Sequence, residues 1–224
     1  MVIALGDEVD AARVGGKAAG LARLAGLGLP VPPAVVIPVG AKLDDIGSLV
    51  DSLGEPLAVR SSAVGEDARD RSAAGQYETI LGVARGDLID AIRRVRASTS
   101  RARVYGGSDD VAVIVQQQVL ATKAGVAFSR DPVTGEEVYV VECAFGSGER
   151  VVSGEVVPDR FRVANGAVTA RVAGPLRTLR DDELHELVGR VAQAETGFGH
   201  PVDVEFCYER RALWLVQCRP ITTL

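Results

Sequence analysis

The sequence predicts an α+β fold in two subdomains, residues 1–106 and 107–224, carrying mixed and antiparallel sheets. Three observations support this. A chain of 224 residues suits one large domain or two small ones. β-Branched runs and amphipathic helical stretches follow one another without the strict alternation of a parallel sheet. Turn signals at Asn165-Gly166 and around Arg210 join consecutive strands directly, and the small-residue stretch Gly106-Gly107-Ser108 offers a division between subdomains.

After a short opening strand, "VGGKAAGLARLAGLGLPVPPAVVI" reads as turn, helix, turn and strand, with Leu21, Leu24 and Ala25 on one helical face and Gly26 or Gly28 stopping the helix before Pro30. Leu57–Val59 is a short strand. "SSAVGEDARDRSAAGQ" has no apolar period and reads as a long loop. Leu88, Ile92 and Val95 form the inner face of an amphipathic helix, and "DVAVIVQQQV" is a buried strand. "AGVAFSRDPVTG" is a strand that turns at Asp131-Pro132. "VYVVECAFG" is another strand, ended by the loop "GSGE", and "FRVANGAVTARV" is a hairpin. In "TLRDDELHELVGRVAQAETGFG" Thr178 caps a helix with Asp181 three residues on, and Leu184, Leu187, Val188 and Val191 make its buried stripe. A strand pair, "VDVEFCYE" and "LWLVQCRP", closes the chain.

Composition excludes several classes. A net charge of −5 and a pI near 5.2 argue against nucleic-acid or membrane-surface binding, which need a basic face. No apolar run is long enough to span a bilayer, and the N-terminus lacks the pattern of a signal peptide. Three cysteines without a CxxC pair point to reduced thiols and a cytoplasmic setting. Only Lys17, Lys42 and Lys123 are lysines, beside 22 arginines, so a lysine inside a motif stands out.

Four stretches could carry chemistry. With "RRA" as a three-residue hairpin loop, Glu209 pairs with Leu213, Glu205 with Gln217 and Asp203 with Arg219, all on one face. Directly opposed side chains have Cβ atoms about 4.5–5.5 Å apart, so a carboxylate and an amide oxygen could share one Mg²⁺ beside an arginine. The same face also reads as a solvated hairpin with an exposed salt bridge. Lys17 lies in the first turn of a helix, where the macrodipole repels it, and an anion held there would resolve the conflict. Arg60 stands at the mouth of a strand, followed downstream by the small residues Ser72, Ala73, Ala74 and Gly75, which let a backbone lie against phosphate. "VIVQQQV" reads as a core strand or as the edge of an adenine site in which Gln118 and Val119 offer backbone groups to the base. His185 and His200 read as surface residues, and no nucleophile triad or zinc spacing is present.

In order, these stretches resemble the N-terminal ATP-grasp nucleotide-binding domain of the phosphoenolpyruvate synthase and pyruvate phosphate dikinase family, which includes rifampin phosphotransferase. The resemblance rests on "GGKAAGLARLAGLGLPVPPAVVI", "AVRSSAVGEDARDRSAAGQYET", "VIVQQQV" with "AGVAFSRDPVTGE", "FGSGERVVSGEVVPDRF" and "HPVDVEFCYERRALWLVQCRPITT", and covers most of Val14 to Thr223. It implies an ATP-grasp-like fold whose two subdomains enclose a nucleotide cleft. Lys17 and Arg60 would bind the ATP phosphates, with the Ser72, Ala73, Ala74 and Gly75 loop closing over them. Gln116, Gln118 and Val119 would hold adenine, Glu205 and Gln217 would ligate Mg²⁺, and Arg219 would contact the phosphates. Lys17, Arg60 and Arg219 are the implied catalytic cations. Ser147 replaces the usual leucine of the glycine phrase, and the region between "AVVI" and "LAVRSS" is shorter than in the family.

The resemblance implies an ATP- and Mg²⁺-dependent phosphotransferase component that passes a phosphoryl group to a histidine or a substrate on a separate polypeptide. The family's carrier-histidine motif matches neither His185 nor His200. Two other functions fit the same residues: a self-sufficient small-molecule kinase or ligase making ADP, and a non-catalytic nucleotide-sensing or scaffold module.

Overall fold

The computed structural model describes residues 2–5, 9–43, 46, 50–64, 79–98, 111–146, 157–172 and 177–221. They fall into two compact units, 1–26 with 32–118 and 27–31 with 119–224. The expected division at Gly106-Gly107-Ser108 lies outside the described residues. The described chain leaves the first unit between Gln118 and Val119, because the strand ending at Gln117 is the middle strand of the first sheet.

That sheet contains β1 (Ile3–Ala4), β2 (Ala34–Ile37), β3 (Leu57–Ala63), β4 (Thr79–Val83) and β5 (Val111–Gln117) in the order β1-β2-β5-β3-β4. Every neighbouring pair is antiparallel, one of the two pairings the sequence allows. On one face, helix α2 (Leu88–Ala97) packs Leu88, Ala91, Ile92 and Val95 against Val35, Ile37, Leu57, Val59, Val113 and Val115. Full burial of each larger apolar side chain contributes about 1.5–3 kcal/mol. Alternation puts Ala58, Arg60, Ser62 and Gln116 on the other face, where helix α1 (Ala11–Gly26) lies against β3 and β5.

The second unit holds β6 (Lys123–Phe128), β7 (Tyr139–Phe145), β8 (Asp159–Ala164), β9 (Ala167–Val172), β10 (Val202–Glu209) and β11 (Ala212–Pro220), in the antiparallel order β11-β10-β6-β7-β8-β9. Helix α3 (Asp181–Phe198) covers one face, burying Leu184, Leu187 and Val191 on the side of Val202, Val204, Phe206 and Tyr208. The Tyr208 hydroxyl donates to the Glu183 carbonyl at 2.8 Å, and the Lys123 ammonium sits 2.6–2.7 Å from both Glu183 carboxylate oxygens. No helix among the described residues is long and apolar enough to cross a membrane.

Two local expectations are corrected. Arg180, rather than Thr178, starts α3, and its N–H is taken by the Glu183 carboxylate. Thr178 is held elsewhere, with its N–H and hydroxyl both donating to Asp159 Oδ2 at 2.7 and 2.9 Å. The β10–β11 turn has two residues, not three: Glu209 pairs with Ala212, and Arg210 takes φ 56°. A bulge at Val216 then adds the missing residue, so Glu205 does face Gln217 and Asp203 does face Arg219. The Asn165-Gly166 turn forms as read, with φ of 50° and 75°. All three cysteines are buried and none forms a disulfide, and burial pushes the Cys143 thiol up to about 12.

Two outcomes follow from this packing. A Cβ on Gly125 would fall 1.9 Å from the Glu142 carbonyl oxygen and 2.8 Å from Cys143 Cα, both backbone atoms. Gly125→Ala should therefore destabilise the protein by at least about 2 kcal/mol in equilibrium urea unfolding, and a value under about 0.5 kcal/mol would contradict the β6–β7 approach. The His185 ring faces the carbonyls of Asp181 (Nδ1, 2.6 Å) and Gly166 (Nε2, 3.0 Å), so only the imidazolium donates to both. These carbonyls hold its pKa above the ordinary 6.5. The stabilisation is complete below that ordinary value and is lost as pH rises through the raised folded value. The Tm difference between wild type and His185→Gln should thus shrink from pH 5 to pH 8; a pH-independent difference would count against the clamp.

Candidate functional site

In the first unit the site begins with a kink. At Gly15 (φ 76°, ψ 166°) the chain turns into the main length of α1, seated on fully buried Ser62 of β3. A Cβ at Gly15 would lie 2.4 Å from the Ser62 carbonyl oxygen, so this approach requires glycine. Three residues on, the Ala18 N–H donates to Ser62 Oγ at 3.0 Å. Lys17 lies between these two contacts, and Arg60 lies two residues before Ser62 on the same face of β3. Both cations are half-buried. The structure thus puts Lys17 and Arg60 on the α1 side of one sheet. Ser72, Ala73, Ala74 and Gly75 lie outside the described residues.

Gln116, Gln117 and Gln118 are used in three different ways. Gln116 is 3% exposed on the α1 face, and its amide nitrogen has no hydrogen-bonding partner. An unmet buried donor costs about 1–3 kcal/mol, which a ligand acceptor would relieve. Gln117 Oε1 accepts from the Gly54 N–H at 3.4 Å. Gln118 is tied down twice, its N–H donating to the Pro56 carbonyl at 2.9 Å and its Oε1 accepting from the Gly82 N–H at 2.5 Å. Among the described residues nothing hydrogen-bonds the Gln118 carbonyl or the Val119 N–H. An acceptor and a donor in succession match the donor N6 and acceptor N1 of adenine.

In the second unit the sheet face opposite α3 carries two polar rows. One runs Gln217, Glu205, Val126, Glu142, Arg160 across β11, β10, β6, β7 and β8; the other runs Arg219, Asp203, Phe128, Val140, Arg162. Gln217 and Asp203 are 5% and 6% exposed. Arg219 Nε donates to Asp203 Oδ2 at 2.8 Å, whereas Asp203 Oδ1 is buried without a partner. Burial drives the Asp203 pKa up, with the Glu205 charge adding to it, against the pull of Arg219. A half-satisfied buried carboxylate beside Glu205 and Gln217 is a setting that a cation would relieve. No three His, Cys, Asp or Glu side chains converge as a metal cage among the described residues.

Sequence reading placed Asp203 opposite Arg219 and did not anticipate that its Oδ1 would be buried without a partner. It also missed Glu142, Arg160 and Arg162, whose place on this face depends on pairings across β6, β7 and β8 that no local signal marks. Glu142 and Arg160 approach to 3.5 Å. Arg162 binds Asp131 and Glu136 and so pins the "SRDPVTGE" loop. Burial raises the Asp131 pKa, but the N–H groups of Val133 and Thr134 together with Arg162 outweigh it and hold the carboxyl below its ordinary value. Glu209 accepts from the Leu120 N–H at 3.3 Å, next to the Gln118–Val119 step, so it is not a plain surface residue.

Known proteins share this architecture. A D-alanine–D-alanine ligase from Bacillus anthracis, solved in complex with ATP, superposes with a TM-score of 0.55 at 10% identity, over 92% of this chain and 54% of that one. PH1788 from Pyrococcus horikoshii superposes with a TM-score of 0.60 at 13% identity, over 92% and 90% of the two chains. The fold is therefore ATP-grasp-like. In sequence, the chain is 34% identical to a rifampicin phosphotransferase of a Streptomyces species across 97% of its own length, and 37% identical to a probable phosphoenolpyruvate synthase of Archaeoglobus fulgidus across 75%. It is 32% identical to the prodigiosin synthesizing transferase PigC of Serratia marcescens across 97%. It spans only 29%, 27% and 32% of these three relatives, in that order. The pyruvate phosphate dikinase AMP/ATP-binding domain family matches residues 39–175 and 167–224. The chain belongs to that family.

Proposed function

We propose that this chain binds Mg·ATP and serves as the ATP-using half of a phosphotransferase, delivering a phosphoryl group to a histidine or a substrate supplied by a separate polypeptide. The observation that carries this reading is the β10–β11 pairing, which sets Glu205 against Gln217 beside a buried Asp203 oxygen with no partner.

Lys17, Arg60 and Arg219 supply positive charge for the triphosphate, and as fixed groups they neutralise it without reorganising at the moment of transfer. The Gln118 carbonyl and the Val119 N–H orient the base, with the Gln116 amide as a further donor. Glu205, Gln217 and Asp203 Oδ1 would hold Mg²⁺, which supplies charge neutralisation on the phosphate oxygens when bound. In family-type chemistry the β-phosphoryl group passes to a histidine nitrogen, the γ-phosphoryl group passes to water as phosphate, and AMP leaves. Neither histidine of this chain suits that acceptor role. His185 is engaged by carbonyls at both ring nitrogens, and His200 Nδ1 lies 3.1 Å from the Pro201 carbonyl. The acceptor is therefore sought outside these 224 residues. The resemblance of the relatives, a rifampicin phosphotransferase and a probable phosphoenolpyruvate synthase, favours phosphotransfer over a purely sensing role.

Calorimetric titration of ATP with and without Mg²⁺ tests this. Binding should require Mg²⁺, and Glu205→Ala or Gln217→Ala should weaken it by roughly 10–100-fold. Glu186→Ala, an exposed change on α3, should leave it unaltered. Equal effects from all three variants, or no binding at millimolar ATP, would overturn the metal assignment. In a second assay, AMP should be the product when an acceptor histidine is provided; ADP from the isolated chain would instead establish a self-sufficient kinase or ligase.

A further inference from the structure

We propose that Ser62 is a positioning residue for nucleotide binding: it fixes the backbone on both sides of Lys17 and so sets where the Lys17 ammonium can reach. The inference rests on the assignment of Lys17 to the ATP phosphates. Ser62 is fully buried and makes two contacts with the start of α1. Its carbonyl and hydroxyl oxygens fill the space where a Gly15 side chain would begin, at 2.4 and 2.5 Å from an ideal Cβ. Its Oγ also takes the Ala18 N–H at 3.0 Å, from a residue 44 positions away in sequence. One side chain thus caps a helix in tertiary contact, and Lys17 is the charged residue inside the bracketed turn.

A cap that only stabilised the helix would favour an acidic or neutral first turn. Here the bracket holds a cation at the positive end of α1, on the same side of β3 as Arg60. The lysine stem is flexible, so its useful reach depends on a Cα that does not drift. The Ser62 contacts supply that constraint.

The test is a double-mutant cycle on the whole chain, reading the calorimetric Kd for Mg·ATP in wild type, Lys17→Ala, Ser62→Ala and the double variant, with Tm recorded for each. Ser62→Ala should weaken binding roughly tenfold in the wild-type background, yet less than twofold when Lys17 is already alanine. Full and additive losses in both backgrounds would mean that Ser62 acts on general stability, and would overturn the inference. A Ser62→Ala protein that binds as wild type while Lys17→Ala is impaired would also overturn it, leaving the Lys17 assignment intact. No effect of Lys17→Ala would remove that assignment itself, and this inference with it. Should Ser62→Ala not fold, Ser62→Cys keeps the volume with a poorer acceptor, and the same cycle should show a smaller loss that again vanishes without Lys17.

Discussion

The register of the β10–β11 hairpin governs what the second unit can do. Strand side chains alternate with period two, so a one-residue slip exchanges every group between the two faces. With its two-residue turn and no bulge, the hairpin would set Glu205 opposite Val216 and Asp203 opposite Cys218. Gln217 and Arg219 would then point toward the α3 core, where an amide and a guanidinium have no place. The bulge at Val216 absorbs one residue between Leu215 and Gln217. Leu215 stays in the core, fully buried, and Gln217 and Arg219 join the acidic face. The rest of the polar face is aligned to β10 through β6 and β7, so it inherits the same register.

The first unit reaches its arrangement by a different means. Its sheet has an apolar face closed by α2, while the α1 side accepts a buried glutamine amide without a partner and two cations close to one strand. The unmet Gln116 amide opposes stability, because a buried polar group without a partner disfavours the folded chain.

Much of this was legible in the sequence, for reasons that differ from residue to residue. The Glu205–Gln217 and Asp203–Arg219 pairs were found because acidic and amide residues interrupt apolar strands at matching parity. The turn beside them was misjudged, and the bulge at Val216 compensated for that misjudgement, so the correct pairing came from two offsetting departures. The α3 start was misplaced because Asp159, 19 residues upstream, claims Thr178, and no local pattern reveals so distant a partner. β4 passed unread because it follows a polar stretch and carries Gly82 at φ 70°. Glu142 and Arg160 stayed hidden because their face depends on pairings between strands with long connections. Local chemistry was readable; non-local register was not.

The short segment Leu27–Val31 belongs to the second unit although residues of the first flank it on both sides. Its contacts are made late in the chain: the Gln193 side chain donates to the Leu27 carbonyl at 3.0 Å across 166 residues, and the Leu215 N–H donates to the Pro30 carbonyl at 2.7 Å. On a ribosome adding about 5–20 residues per second, that segment waits on the order of 10–30 s for its partners. The first sheet can close as soon as β5 has emerged, so these 224 residues mature in a fixed temporal order, with a loose inner strap fastened only once α3 and β11 have been made.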